Sequence, residues 1–129
     1  MSTKLAPQDA YRRKIKTREE LQKILGVPPR KKTVIMCHGV FDLVHPGHVR
    51  HLMFAKTKAD ILVASLTSDV HIAKDNFRPF VPQQLRAMNL AALETVDYVI
   101  IDENPTAIEN IKFLKPDYFA KGYEYQSQR

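Results

Sequence analysis

Residues 33–52 read TVIMCHGVFDLVHPGHVRHL, and the fold follows from this stretch. Thr33 to Cys37 is a run of β-friendly residues, which predicts a short buried strand. Gly39, Phe41 and Asp42 follow, at a place where the backbone can tighten into a turn. Beyond His45-Pro46-Gly47-His48, the apolar residues Val49, Leu52 and Met53 recur at helical spacing, so a helix runs from there to about Lys58. Proline at the first helical position presets φ and lacks an N–H that would have no intrahelical partner anyway. It pushes His45 into extended backbone, so that ring stands outside the helix mouth. Gly47 leaves the first-turn amides uncovered, where the helix end carries partial positive charge. Two imidazoles flanking such a mouth make a site for phosphate groups.

Working outward, strand-like and helix-like segments alternate. Thr17-Arg18-Glu19-Glu20 is a capping box for a helix that Gly26 closes and Pro28-Pro29 forbids from continuing. Asp60 to Leu66 is a continuous apolar run, expected of a strand covered on both faces. Thr67-Ser68-Asp69 ends it and caps a short helix reaching about Lys74, and residues 75–81 read as a loop. Helices are expected over 82–94 and after an Asn104-Pro105 cap, with strands at 97–101 and 117–121. The pattern predicts an α/β class, a Rossmann-like doubly wound parallel sheet with right-handed crossovers. Ligands in such sheets bind beyond the carboxyl ends of the strands, where strand order reverses. The histidine segment, Thr67–Asp69, Lys74 and Lys121–Tyr125 all follow strand carboxyl ends.

The chain has 129 residues, the size of one domain, with no internal repeat. Its net charge is +6, but unevenly placed. Residues 1–32 hold ten Lys/Arg against three acids, and residues 33–129 hold ten against eleven. The basic excess therefore sits ahead of residue 33; residues 1–16 are taken as a flexible leader and residues 17–129 as the domain. With Tyr11 its sole aromatic, the leader lacks the stacking platforms of a single-strand binder, so no nucleic-acid partner is expected. No apolar run approaches a membrane span, and the first residues lack the apolar core of a secretory signal. Neither a membrane partner nor export is expected, and the cytoplasm is the expected location. Cys37 is single, so it is a packing residue before it is a reactive thiol. Cys37, His38 and His51 lack the spacing of a zinc site, and no protein-held metal is expected. His38 and His71 read as structural or exposed.

Gly39-x-Phe41-Asp42-x-x-His45-x-Gly47-His48 resembles the mark of the cytidylyltransferase-like nucleotidyltransferases, with six fixed positions in ten. Within that family the chain is similar to glycerol-3-phosphate cytidylyltransferases and to the adenylyl-transferring domain of heptose-phosphate enzymes, over about 14–125. The resemblance implies transfer of a nucleoside monophosphate from CTP to a small phosphorylated sugar or polyol, with release of pyrophosphate. The alternatives are ATP as donor, or a nucleotide-binding module without catalysis. It further implies His45, His48 and Lys74 as catalytic residues. Gly39, Val40, Phe41, Asp42, Gly47, Arg86, Gly122 and Glu124 are implied as nucleotide-binding, Mg2+ as a companion of the nucleotide, and a homodimer as the assembly. Arg78 matches a second basic position of the family loosely.

Two departures from the family stand out. Glu124 occupies a position where relatives carry aspartate, which blurs the reading of the base. Relatives also carry an Arg-Thr-x-Gly-Ile-Ser-Thr-Thr motif on a late helix, and Gln126-Ser127-Gln128-Arg129 precedes any equivalent. The expectation is therefore a domain lacking its last motif, a piece of a longer protein.

Overall fold

The computed structural model describes residues 7–72 and 81–121. Helix α1 (Arg18–Leu25) precedes strand β1 (Val34–Gly39) and helix α2 (Pro46–Lys56). Strand β2 (Ile61–Thr67), helix α3 (Gln83–Ala91) and strand β3 (Tyr98–Asp102) follow, then helix α4 (Ile108–Leu114) and strand β4 (Tyr118–Lys121). All pairings are parallel, in the order β3-β2-β1-β4. The chain moves from β1 to β3 on one side and then crosses to place β4 on the other. The order therefore reverses between β1 and β4, the place where a doubly wound sheet opens a crevice. The expected fold class is the observed one.

Alternation along the strands divides the interior into two layers. Ile35 and Cys37 of β1 join Leu62, Ala64 and Leu66 of β2 and Val99 of β3 beneath Leu52 and Ala55 of α2 and Ala87, Leu90 and Ala91 of α3. Val34, Met36, Val63 and Ile100 point the other way, to Leu21 of α1 and Leu114 of α4. Both faces of β1 and β2 are thus covered, which is why those strands read as unbroken apolar runs.

Local chemistry sets the element ends. Thr17 Oγ1 accepts from Glu20 N at 3.0 Å while Glu20 Oε1 accepts from Thr17 N at 2.9 Å, closing the expected box on α1. Gly26 ends that helix at φ 71°. The amino ends of the strands are tied by three aspartates, each one residue ahead of a strand. Asp60 accepts from Thr33 N at 2.9 Å, Asp97 from Leu62 N at 2.8 Å and Asp117 from Val34 N at 2.8 Å. Each ties its own strand to the neighbour and pins the register.

Several expectations are corrected. Pro7–Lys14 forms a 3-10 helix, Tyr11 and Ile15 pack against the α2/α3 layer, and Ile15 bridges Val99 on the outer edge of β3. Residues 7–16 are therefore a docked edge cover, because β3 otherwise presents unpaired backbone groups there. The segment after Ser68 is a single 3-10 turn, Asp69–His71, without a side-chain cap. Asn104 does not cap α4. Its amide and its side chain both bond Asp102 Oδ1, at 2.9 and 3.0 Å, and the helix starts only at Ile108. The expected loop over 75–81 lies outside the described residues except for Val81. Among the described residues no helix is long and apolar enough to cross a membrane.

Candidate active site

The site begins where β1 stops. A Cβ on Gly39 would lie 3.3 Å from the Phe41 ring, so glycine lets that ring fold back under the strand end. Phe41 itself adopts φ 54°, a left-handed conformation unusual for a bulky residue. The turn buries its ring and sets it 5.7 Å, centroid to centroid, from the ring of His48. Asp42 Oδ1 accepts from Val81 N at 3.1 Å, fastening this turn to the segment entering α3.

At the mouth of α2, His45 is extended (φ −123°, ψ 175°) and acts as the N-cap, with Pro46 at the first helical position. Its Nδ1 accepts from Gly47 N at 3.0 Å. Three residues on, His48 Nδ1 accepts from His45 N at 3.3 Å. The pair is a reciprocal cap in which imidazoles do the work usually done by hydroxyls and carboxylates. The ring centroids are 4.0 Å apart with 34° between planes. A ring nitrogen that accepts a backbone N–H carries no proton, so both neutral rings are the Nε2–H tautomer. Each then has its donor on the edge turned away from the backbone. His45 is exposed and His48 is buried to 8%. The arrangement offers two oriented N–H donors at the positive end of an 11-residue helix, suited to phosphate oxygens.

Arg86 sits behind this surface. It has no exposed area. Its Nε donates to Val81 O at 2.9 Å, one terminal nitrogen donates to both Val40 O and Thr67 O at 2.8 Å, and the other meets the Asp69 carboxylate. The resemblance implies a nucleotide contact for Arg86; the structure instead shows a clamp joining the ends of β1 and β2 to the entrance of α3. Gly39, Val40, Phe41, Asp42, Gly47, His45 and His48 are brought together. Lys74, Arg78, Gly122 and Glu124 lie outside the described residues.

Cys37 and His38 are adjacent on β1 and so face opposite sides of the sheet, which breaks up the Cys37, His38 and His51 grouping. Burial pushes the Cys37 thiol up to about 12. Among the described residues no three His, Cys, Asp or Glu are gathered to hold a metal ion.

Sequence reading missed a polar row at the carboxyl ends of the strands. His38 Nδ1 lies 2.9 Å from Ser65 Oγ and 3.9 Å from Asp102 Oδ2, and Thr67 Oγ1 is 3.4 Å from His38 Nε2. A signal was present: His38, Ser65, Thr67 and Asp102 are the polar residues that end otherwise apolar strands. A cavity of about 470 Å³ lies elsewhere, at the outer edge of β3 between Ile15, Arg18, Ile101 and Asn110. Arg18 there is already bonded to Asn110 at 3.0 Å and stacked on Phe113. Chemistry rather than cavity size therefore places the site at α2.

A family model described as cytidylyltransferase-like matches residues 36–128, from the middle of β1 onward. The chain belongs to the cytidylyltransferase-like family. Among curated members, a bifunctional protein HldE of Syntrophotalea carbinolica is 43% identical over 118 residues, covering 89% of this chain and 24% of its own length. A bifunctional protein HldE of Nitratiruptor is 39% identical over 130 residues, covering 98% of this chain and 28% of its own. The chain thus spans about a quarter of the length of these cytidylyltransferase-like relatives. A solved lipopolysaccharide core biosynthesis protein from Thermoplasma volcanium superposes with a TM-score of 0.64 at 26% identity, over 68% of this chain and 72% of that one.

Proposed function

We propose that this nucleotidyltransferase domain moves a nucleoside monophosphate from a nucleoside triphosphate to a phosphorylated sugar, releasing pyrophosphate. The observation that carries the reading is the pair of imidazoles 4.0 Å apart at the mouth of α2, each fixed as an Nε2–H donor by a backbone amide. The resemblance to a protein of lipopolysaccharide core synthesis supports a sugar acceptor over a simple polyol, since such a core is built from sugars. CTP is the donor the sequence reading favours, and ATP is the alternative.

In the reaction, an acceptor phosphate oxygen attacks the α-phosphorus, a new P–O bond forms, and the bond to the β-phosphate bridging oxygen breaks. The nucleophile is already an anion, so no general base is needed. The protein contributes orientation and charge stabilisation at the phosphate oxygens. His45 and His48 donate to those oxygens. Asp42 and Arg86 keep the turn and the strand ends in place around them. Lys74 would add a point charge on the β- and γ-phosphates, and Gly122 and Glu124 would lie near the base and ribose. Mg2+ would bind mostly through phosphate oxygens of the nucleotide. A cytoplasmic homodimer completes the proposal. Pyrophosphate release by the full-length protein, with CTP or ATP against a heptose phosphate and glycerol 3-phosphate, tests it; no release with any pairing would reject it.

A further inference from the structure

The amino end of the sheet, away from the paired imidazoles, carries a groove that the transferase reading leaves unused. Two cavities of about 360 and 350 Å³ adjoin there and share Lys32 and Ile61 as walls. One runs between the end of α1 and the segment entering β1, lined by Ile24, Leu25, Val27 and Pro29. The other runs along the starts of β2 and β3, lined by Ala10, Asp60, Asp97 and Tyr98. Ile24 and Val27 are 48% and 53% exposed, so this floor leaves large apolar side chains in water.

The charge on the walls is one-sided. Arg13, Lys14, Arg30, Lys31 and Lys32 line the two cavities, against Asp60 and Asp97. Arg30 is paired with Asp117 and Asp97 with Lys56, so those charges cancel. Lys14 donates to a neutral group, the Leu93 carbonyl at 3.0 Å, which leaves its charge uncompensated. Arg13, Lys31 and Lys32 are exposed and have no carboxylate partner among the described residues. Four cations thus face the single carboxylate of Asp60 along a groove with an apolar floor. Like charges held together repel and do nothing for folding, whereas a recess lined by one sign of charge concentrates the opposite sign. A solvated basic surface needs no apolar floor, and scattered exposed apolar residues need no ring of cations. Here both line one groove.

We infer that this groove is an interaction surface for an acidic segment of a partner polypeptide. The segment seats an apolar side chain over Ile24 and Val27 and sets its carboxylates against Arg13, Lys31 and Lys32. A nucleic acid fits less well, because Tyr98 is the groove's sole aromatic and a phosphate backbone gains nothing from Ile24 and Val27. A bilayer surface is flat, whereas Leu25, Ile61 and Tyr98 are half-buried inside the groove. Strand β2 spans seven residues, which puts the groove roughly 20 Å from the carboxyl ends where the imidazoles stand. A partner seated here tethers the protein without covering that site.

The test uses the full-length protein and, as probe, a fluorescent peptide of alternating glutamate and leucine, followed by anisotropy. Saturable binding is expected, and it weakens as salt rises. Lys31→Glu combined with Lys32→Glu is expected to weaken binding about tenfold or more, and Val27→Asp to weaken it in the same direction by less. Both variants are expected to keep the native rate of pyrophosphate release and an unfolding midpoint close to native. Absence of binding, equal binding by the charge-reversed protein, or equal binding of an all-glutamate peptide overturns the inference. A single-stranded oligonucleotide or phosphatidylglycerol vesicles bound more tightly than the peptide overturns it in favour of that class of partner. The binding assay does not depend on catalysis, so a protein inert with every nucleotide removes the transferase reading and leaves this surface in place.

Discussion

Arg86 reaches from α3 to the last residue of β2 and donates to the Thr67 carbonyl at 2.8 Å. The same nitrogen bonds Val40 O, so one guanidinium joins the carboxyl ends of both central strands. Truncation would leave three carbonyls and the Asp69 carboxylate short of a donor. Arg86→Ala is expected to lower stability by about 3 kcal/mol, since removing one member of a buried, hydrogen-bonded charge pair is costly. Urea denaturation reads this directly, and a loss under about 1 kcal/mol would show that the clamp is dispensable.

At the opposite edge of the sheet, Asp97 Oδ2 accepts from Leu62 N and from Lys56 Nζ. Asp97→Ala should cost about 1–2 kcal/mol, because it strands an amide at the start of β2. Lys56→Ala should cost less, its ion pair being about one third exposed and screened by solvent. Equal losses from the two variants would assign the effect to the ion pair instead.

Cys37 holds its proton to about pH 12 in the folded chain because burial disfavours the thiolate. An unfolded thiol ionises near 9.0. Between those values the unfolded state binds fewer protons than the folded state, so stability falls as pH rises through that window. Thiol labelling at pH 8 should be slow in native protein and fast in denaturant. Rapid labelling of the native chain would contradict the burial of this residue.

The reciprocal cap fixes tautomers as well as geometry. Long-range nitrogen–proton NMR correlations at pH 8 should show Nε2–H on both His45 and His48. A proton on Nδ1 of either ring would mean that the backbone amides of Gly47 and His45 are not bonded as described.

Much of the fold could be read from the chain because its strands are covered on both faces and are therefore continuous apolar runs between helix signals. Pro46 and the glycines around it made the mouth of α2 readable for the same reason: their backbone restrictions are local. What escaped depended on partners distant in sequence. The clamp made by Arg86 was not legible, because nothing near it in sequence shows the carbonyls of Val40 and Thr67 closing over it. Asn104 looked like a helix cap because its bond to Asp102 forms across a turn that composition does not specify. The leader read as unstructured since its register with Val99 exists only once the sheet has an edge to cover. The contacts of His38 were not legible either, because Ser65, Thr67 and Asp102 lie far from it in sequence.

The proposed function stands on paired imidazoles at the mouth of α2 that stabilise a phosphate undergoing transfer. Its most direct test is the rate of pyrophosphate release by the full-length protein carrying His48→Ala, measured at saturating nucleotide. A fall of about 100-fold or more is expected, with the unfolding midpoint close to native. Release at the native rate would contradict it.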